Sequence, residues 1–453
     1  MPSLLTPKQP MLRTGLWVAI LAPMFALALP AQGQTFSVLH NFMGGVDGLS
    51  PEAGLTIDAR GRLYGTTANG GLDGGNCGNG CGVVFRLASQ GSGWTLDPLY
   101  KFRGPGNDGA VPIARPVFAP SGILYGTTDA GGAGFCEGPG CGTAYGLRPG
   151  ATACTTALCS WTESMLFSFG GVEAICEGYV DSLRGRDGNA RRPADGTLGS
   201  CPGPGDLTFD HAGNIYGTIP CCNGAVYQLI PGVSAMALYY FSGGSDGGGP
   251  ASGVIFDSAG NLYGTTTGGG SANCGTVYEL SPNGSGWIEA VLYSFQCGSD
   301  GESPVGGLIF DASGNLYGTT SVGGAGKGGT VFELTPSGSK WTFQLLYSLG
   351  YSGTQDSPYP GPTGILAMDA SGSLYGTAVL DGAYEYGSVF KLTPSNGGWT
   401  YASLHDFTGG DDGGDPYGNV TFDTAGNMYG TASIGGTNLC FGAGCGVVWE
   451  ITP

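Results

Sequence analysis

Asn261-Leu262-Tyr263-Gly264-Thr265-Thr266 is a short apolar run closed by two threonines. Its Tyr-Gly-Thr core recurs at Tyr64, Tyr125, Tyr216, Tyr317, Tyr375 and Tyr429. Seven copies make a repeat protein, and that sets the architecture. The copies stand roughly fifty residues apart, with one long gap before Tyr216, a period that belongs to stacked or radially arranged units. The clearest unit reads Gly307-Leu308-Ile309-Phe310-Asp311, then Asn315 to Thr320, then Gly329-Thr330-Val331-Phe332-Glu333-Leu334, then Trp341 to Leu349. These are strands A, B, C and D. Each is short and bounded by Gly, Pro, Asn, Asp or Ser, and none has the length or period of a helix. Four strands in such a unit predict an all-β propeller blade with antiparallel strands. Gly318, following Tyr317, is expected to let the next blade approach closely. Asp311-Ala312-Ser313-Gly314-Asn315 reads as the A–B turn.

The chain ends give the ring its size. The first strand, Phe36 to Phe42, is a D strand with no A, B or C before it. The last, Val447 to Ile451, is a C strand with no D after it. Together they complete one blade, which predicts a seven-bladed ring closed by the N-terminal strand, with no open sheet edge.

Composition limits the function. The chain has 453 residues, 91 of them Gly, 41% hydrophobic and 11% charged residues, and a net charge of −18. A large core is affordable, whereas nucleic acid and anionic membranes want clustered Lys and Arg. Residues 1–33 read as a secretory signal peptide, with Lys8 and Arg13 before an apolar run from Leu16 to Leu29 and small residues at Ala31 and Gly33. The expectation is an exported protein, secreted, extracellular or periplasmic. Its single propeller domain spans 34–453 with an insertion at about 151–205. No transmembrane segment and no C-terminal anchor are expected after the leader, and a monomer is expected.

The 14 cysteines suit an exported disulfide framework. Near pairs in B–C loops are Cys77 with Cys81, Cys136 with Cys141 and Cys440 with Cys445. Cys274 lacks a local partner and pairs with Cys297 on the same face. Cys154 with Cys159 would staple the approach to the insertion. Cys176, Cys201, Cys221 and Cys222 would tie the insertion down, in two bridges of open connectivity. Zinc would want four ligands together, and these pairs lie in separate repeats.

Candidate ligand groups sit where repeats differ. The D–A loops carry Asp47, Asp108, Asp187, Asp246, Asp300, Asp356 and Asp412, which the repeat arranges as a ring around one face. They either form turns or hold Ca²⁺ or a cationic ligand. Asp411, Asp412 and Asp415 are the densest group. A second series, Asp58, Asp210, Asp257, Asp311, Asp369 and Asp423, reads as turn caps. His40 and His405 stand where other repeats have a packing Tyr. Arg184, Arg186, Arg191 and Arg192 in the insertion suit an anion or a carboxylate sugar. Phe135, Tyr179, Tyr359, Tyr384, Tyr386 and Phe441 suit stacking on sugar rings. No Ser, His and Asp set stands out, and no carboxylate pair is singled out for glycoside hydrolysis.

The unit at 307–320, followed by Gly-Gly and Gly-Thr-Val-Phe-Glu-Leu-Thr-Pro at 329–336, resembles the GloVer tandem repeat of exported bacterial proteins over nearly the whole mature chain. That resemblance brings no activity with it. The Asp-x-x-Gly-Asn-Leu-Tyr turn is also similar to NHL-type propeller blades, most of which bind partners. The reading is a secreted or cell-surface binding module with a glycan or extracellular protein on its loop face, needing no cofactor, though Ca²⁺ is allowed. Its rivals are a carbohydrate-active hydrolase or lyase and a structural envelope protein.

Overall fold

Short strands that are apolar on both faces must bury both faces, and in the computed structural model they do so as blades of a ring. The structure describes residues 34–71, 77–91, 93–106, 108–133, 140–150, 161–169, 205–221, 223–230, 234–338, 340–353, 357–438, 440 and 442–453. Most of the insertion falls outside them, as does the leader. Among the described residues there are seven four-stranded antiparallel sheets and no helix, so none is long and apolar enough to cross a membrane.

In the fifth blade, A is Ile309–Phe310, B is Leu316–Thr320, C is Lys327–Ser337 and D is Lys340–Gly350. Blades are numbered by their A strands, from Thr56–Ile57 in the first to Thr421–Phe422 in the seventh. The seventh is completed by the N-terminal strand. Thr35–Asn41 lies antiparallel on Val447–Thr452, pairing Phe36 with Ile451 and Val38 with Trp449. The ring therefore closes as its two unmatched ends require.

The hydrophobic core lies between blades. Tyr317, Val331 and Leu349 of the fifth pack with Leu366, Leu374 and Phe390 of the sixth. Phe42 and Val448 of the seventh pack with Leu55, Leu63 and Phe85 of the first. Within the repeated motif, Tyr faces the following blade. Tyr263 meets Phe310 edge-on at 5.1 Å and Tyr375 meets Phe422 at 4.9 Å. The tyrosine hydroxyl turns back to its own A–B turn, where Tyr375 Oη donates to Asp369 at 2.9 Å and Tyr429 Oη to Asp423 at 3.1 Å. The threonine crosses to the next blade: Thr218 donates to Ser252 O at 2.7 Å, Thr377 to Gly418 O at 2.6 Å and Thr431 to Ala53 O at 2.8 Å.

The glycine does something other than the sequence suggests. A Cβ on Gly318 would lie 2.6 Å from Phe332 Cζ and 2.8 Å from Leu308 Cδ2, both in its own blade. Gly65 and Gly376 face Phe85 and Phe390 in the same way. The glycine makes room for the strand C ring beside it, so close approach of the next blade is not its role. Gly318→Ala should cost about 1–3 kcal/mol by overpacking, read as a lowered denaturation midpoint with an unchanged slope.

Candidate functional site

The described members of both aspartate series are bound into turns. In the A–B turns, Asp311 Oδ1 accepts from Ser313 N at 2.8 Å and Asn315 N at 2.9 Å, and Oδ2 accepts from Asn315 Nδ2 at 2.8 Å. Asp257 and Asp423 repeat the pattern. These donors hold Asp210, Asp369 and Asp423 below the usual carboxylate range against the opposing effect of burial, which is the largest single influence.

The D–A series works likewise. Asp300 Oδ2 accepts from Tyr293 Oη at 2.8 Å and Gln296 N at 2.9 Å. Asp246 takes Tyr239 Oη at 3.1 Å and Ser242 N at 2.8 Å. Asp412 takes His405 Nε2 at 3.0 Å and the Thr408 hydroxyl and amide. Asp47 takes His40 Nε2 at 3.1 Å. The histidines thus fill the tyrosine's place, and His405 also stacks on Phe36 at 3.7 Å. Burial holds its imidazole below the ordinary value, opposed by Asp412. Asp411 is exposed beside this turn.

Asp187, Asp356 and the insertion's Arg184, Arg186, Arg191 and Arg192 lie outside the described residues, with Phe135, Tyr179 and Phe441. So do Cys136, Cys154, Cys159, Cys176, Cys201 and Cys222. Bridges Cys77–Cys81, Cys274–Cys297 and Cys440–Cys445 are formed, with Cα–Cα distances of 5.3, 5.3 and 5.0 Å. Cys141 and Cys221 are also disulfide-bonded.

A different set of side chains meets at the ring axis. Each strand A is preceded by a short segment that faces the axis, and all seven line a cavity of about 140 Å³. Four of these segments are held through a non-glycine residue with positive φ: Ser50 (56°), Val111 (56°), Ser303 (52°) and Asp415 (53°). Its amide donates to the preceding blade, as Asp415 N does to Tyr386 O at 2.8 Å. Its carbonyl accepts from the residue after strand B, as Asp415 O does from Ser433 N at 3.2 Å. A left-handed conformation in a side-chain-bearing residue is costly and persists where the surroundings impose it.

Most of the lining is Gly, Ala or aliphatic, and symmetry is broken by a few residues. Arg115 grips Asp206 with its amide at 2.8 Å and its Nε at 3.1 Å. Glu52 and Tyr417, each following the loop proline of its segment, line the same cavity; Asp129 acts on Glu52, and Asp415 on Tyr417, as nearby like charges. Burial, with Asp129 as a like charge, pushes Glu52 up to about 7. Burial alone pushes Asp129 and Asp415 up to about 6. Tyr417 is raised to about 12 by burial, then Asp415 and Glu52. One oxygen of Asp129 and one of Asp415 are shielded from solvent with no hydrogen-bond partner. Exposed Tyr359 and Tyr384 of the sixth blade, and Met43 and Val46 beyond the N-terminal strand, lie in the D–A and B–C loops of the same face. The one trio of potential metal donors converging within 4.8 Å among the described residues is Cys274, Cys297 and Glu302, whose sulfurs already bond each other.

Of the mouth residues, the sequence pointed only to Asp415. Glu52, Asp129 and Tyr417 were missed, although the signal was present: alignment on the loop proline places Glu52 and Tyr417 where other repeats have Ile113, Ala251, Val305 and Thr363.

The model of the Gloeobacter/Verrucomicrobia repeat matches residues 203–449. None of the curated proteins compared with the chain matches it. Similar solved structures include a gluconolactonase from Xanthomonas campestris at 13% identity and TM-score 0.37, over 92% of this chain and 89% of that one. A luciferin-regenerating enzyme is 12% identical with TM-score 0.39, over 93% and 96%. A protein of unknown function from Dyadobacter fermentans is 10% identical with TM-score 0.39, over 93% and 98%.

The opposed carboxyl shifts set the pH dependence of stability. The turn aspartates, lowered on folding, contribute stability above their unfolded pKa and lose it as pH falls through the folded value. The mouth carboxyls, raised on folding, contribute stability below their unfolded pKa and lose it as pH rises through 6 to 7. The melting temperature should peak near about pH 5 and decline towards pH 8, as read by scanning calorimetry. A melting temperature still climbing at pH 8 would contradict the assignment.

Proposed function

The chain belongs to the Gloeobacter/Verrucomicrobia repeat family, and from that premise we propose that it is an exported binding module that holds a glycan over the mouth of its axial cavity. One observation carries the reading. The described members of the D–A aspartate series, which the sequence left open to a cation, are bound into turns, whereas Glu52 and Tyr417 line the axial cavity together, with Asp129 a like charge near Glu52 and Asp415 near Tyr417. A concave, mostly apolar site with a few convergent polar groups is the usual form of a small-ligand site. A sugar suits it because hydroxyls supply donors to shielded carboxyl oxygens and an aromatic ring covers the apolar face of a pyranose. The formed disulfides support an oxidising compartment, and the signal-like sequence at 1–33 supports export.

A second reading has its own observation. Carboxyls raised to about 6 and 7 are of the kind that give and take protons near neutrality. On that reading the mouth is the active site of a carbohydrate-active enzyme, and bound sugar is turned over.

A glycan array with and without Ca²⁺, followed by an activity screen on the hits, tests both. Binding without turnover supports the module, and turnover supports the enzyme. No binding to any glycan leaves a protein ligand or a structural envelope role. In the supported case, Tyr417→Ala should weaken binding about ten-fold or more, in line with 1–3 kcal/mol for a buried aromatic contact. Asp300→Asn, confined to a D–A turn, should leave affinity within about two-fold; equal losses from both would move the site off the axis.

A further inference from the structure

The segments that lead into the A strands form the wall of the axial cavity, and they do so in rows. The residue after each loop proline makes a partly exposed rim: Glu52, Ile113, Ala251, Val305, Thr363 and Tyr417. The residue after that is small in every segment, as in Gly205, Ser252, Gly306, Gly364 and Gly418. The reason is contact around the ring. A Cβ on Gly418 would lie 2.7 Å from Gly54 Cα, one on Gly364 2.7 Å from Gly418 O, one on Gly306 2.7 Å from Gly364 O, and one on Gly205 2.6 Å from the carbonyl carbon of Ser252. These neighbours touch backbone to backbone.

The remaining joints are hydrogen-bonded. Thr265 of the fourth blade donates to Gly306 O at 3.2 Å, Arg115 holds Asp206 through its amide and Nε, and Thr56 of the first blade donates to Pro116 O at 2.5 Å. The wall is therefore unbroken around all seven segments, and a ligand reaches the cavity along the axis. One residue deeper, Arg115, Asp206, Ile365 and Asn419 line the cavity where other segments have Gly54, Gly253 and Gly307. The space enclosed is about 140 Å³, close to the ~150 Å³ cavities that accept one benzene ring.

A residue within a glycan chain needs two exits, one for each neighbouring sugar, and hence a groove. A cup walled on every side offers one. Resting on the glycan reading above, we propose that the axial cavity takes the terminal residue of a glycan chain end-on, one ring deep, and excludes residues within the chain. The rim suits a single pyranose. Glu52 and Tyr417 belong to adjacent segments and offer a carboxyl and a hydroxyl on one side, while Ala251 and Val305, from the fourth and fifth segments, offer an apolar surface across the ring. The rest of the chain projects from the mouth and contributes little to affinity.

The test uses malto-, cello-, manno- and chito-oligosaccharides of one to six residues, measured by calorimetry on the mature chain. For the series that binds, affinity should level off by the disaccharide. Each oligosaccharide is also blocked at one end or the other, by a 4,6-O-benzylidene group on the non-reducing residue or by reduction of the reducing one. One of the two blocks should weaken binding about ten-fold or more, as forcing extra atoms into a packed wall costs ~1–3 kcal/mol, and the other should not. On the parent polymer, halving the mean chain length at constant mass should double the number of sites. Ala251→Leu, which narrows the cup, should abolish binding without lowering the melting midpoint, and the end-counting measurement needs no variant. Affinity that climbs through four or more residues, indifference to both blocks, or sites that follow mass in place of ends would overturn end-on binding and leave the glycan reading standing. If no series binds, the glycan reading fails and end-on recognition falls with it.

Discussion

Everything in this protein depends on the pairing of its first described strand with its last. Thr35–Asn41 supplies the outer strand of the seventh blade through its register with Val447–Thr452. Without it the last blade ends in an unpaired C strand, and Phe42 and Val448 lose the shared core through which they meet Leu55 and Phe85. Closure leaves each blade with only an outer D strand as its edge, in place of an unpaired C strand at the end of the chain. It also fixes the axial distances, so seven separate segments can be brought to one cavity and held there.

The Tyr-Gly-Thr motif shows how one short sequence serves that closure. The tyrosine ring packs on the following blade while its hydroxyl caps its own turn. The glycine clears space for the aromatic ring of strand C. The threonine hydroxyl reaches the next blade beside the axis. A residue type is specified at each place because each does a different job, and none is left for a ligand. Function therefore has to come from positions that the repeat does not constrain.

The fold was legible in the sequence because its signals were local and counted. Seven copies of one motif, and two unmatched strands at the ends, gave blade number and closure without any long-range information. The turn roles of Asp257 and Asp300 were legible for the same reason, since Asp257-Ser258-Ala259-Gly260 and Asp300-Gly301 are local turn signals. The site was less so. Glu52 and Tyr417 stand near opposite ends of the chain and share one cavity only through the ring. Asp415 drew notice for its neighbours Asp411 and Asp412, yet its place at the axis follows from the left-handed step before Pro416. The glycine of the motif was misjudged because a sequence shows that space is needed and not which ring fills it.

The account stands or falls on ring closure, and amide hydrogen exchange measures it directly. The N-terminal strand should exchange as slowly as Val447–Thr452, and both should approach the protection of inner strands such as Leu262–Thr266. If amides 35–41 exchange at the rate of a free chain while the inner strands stay protected, the ring is open and the axial site loses its foundation.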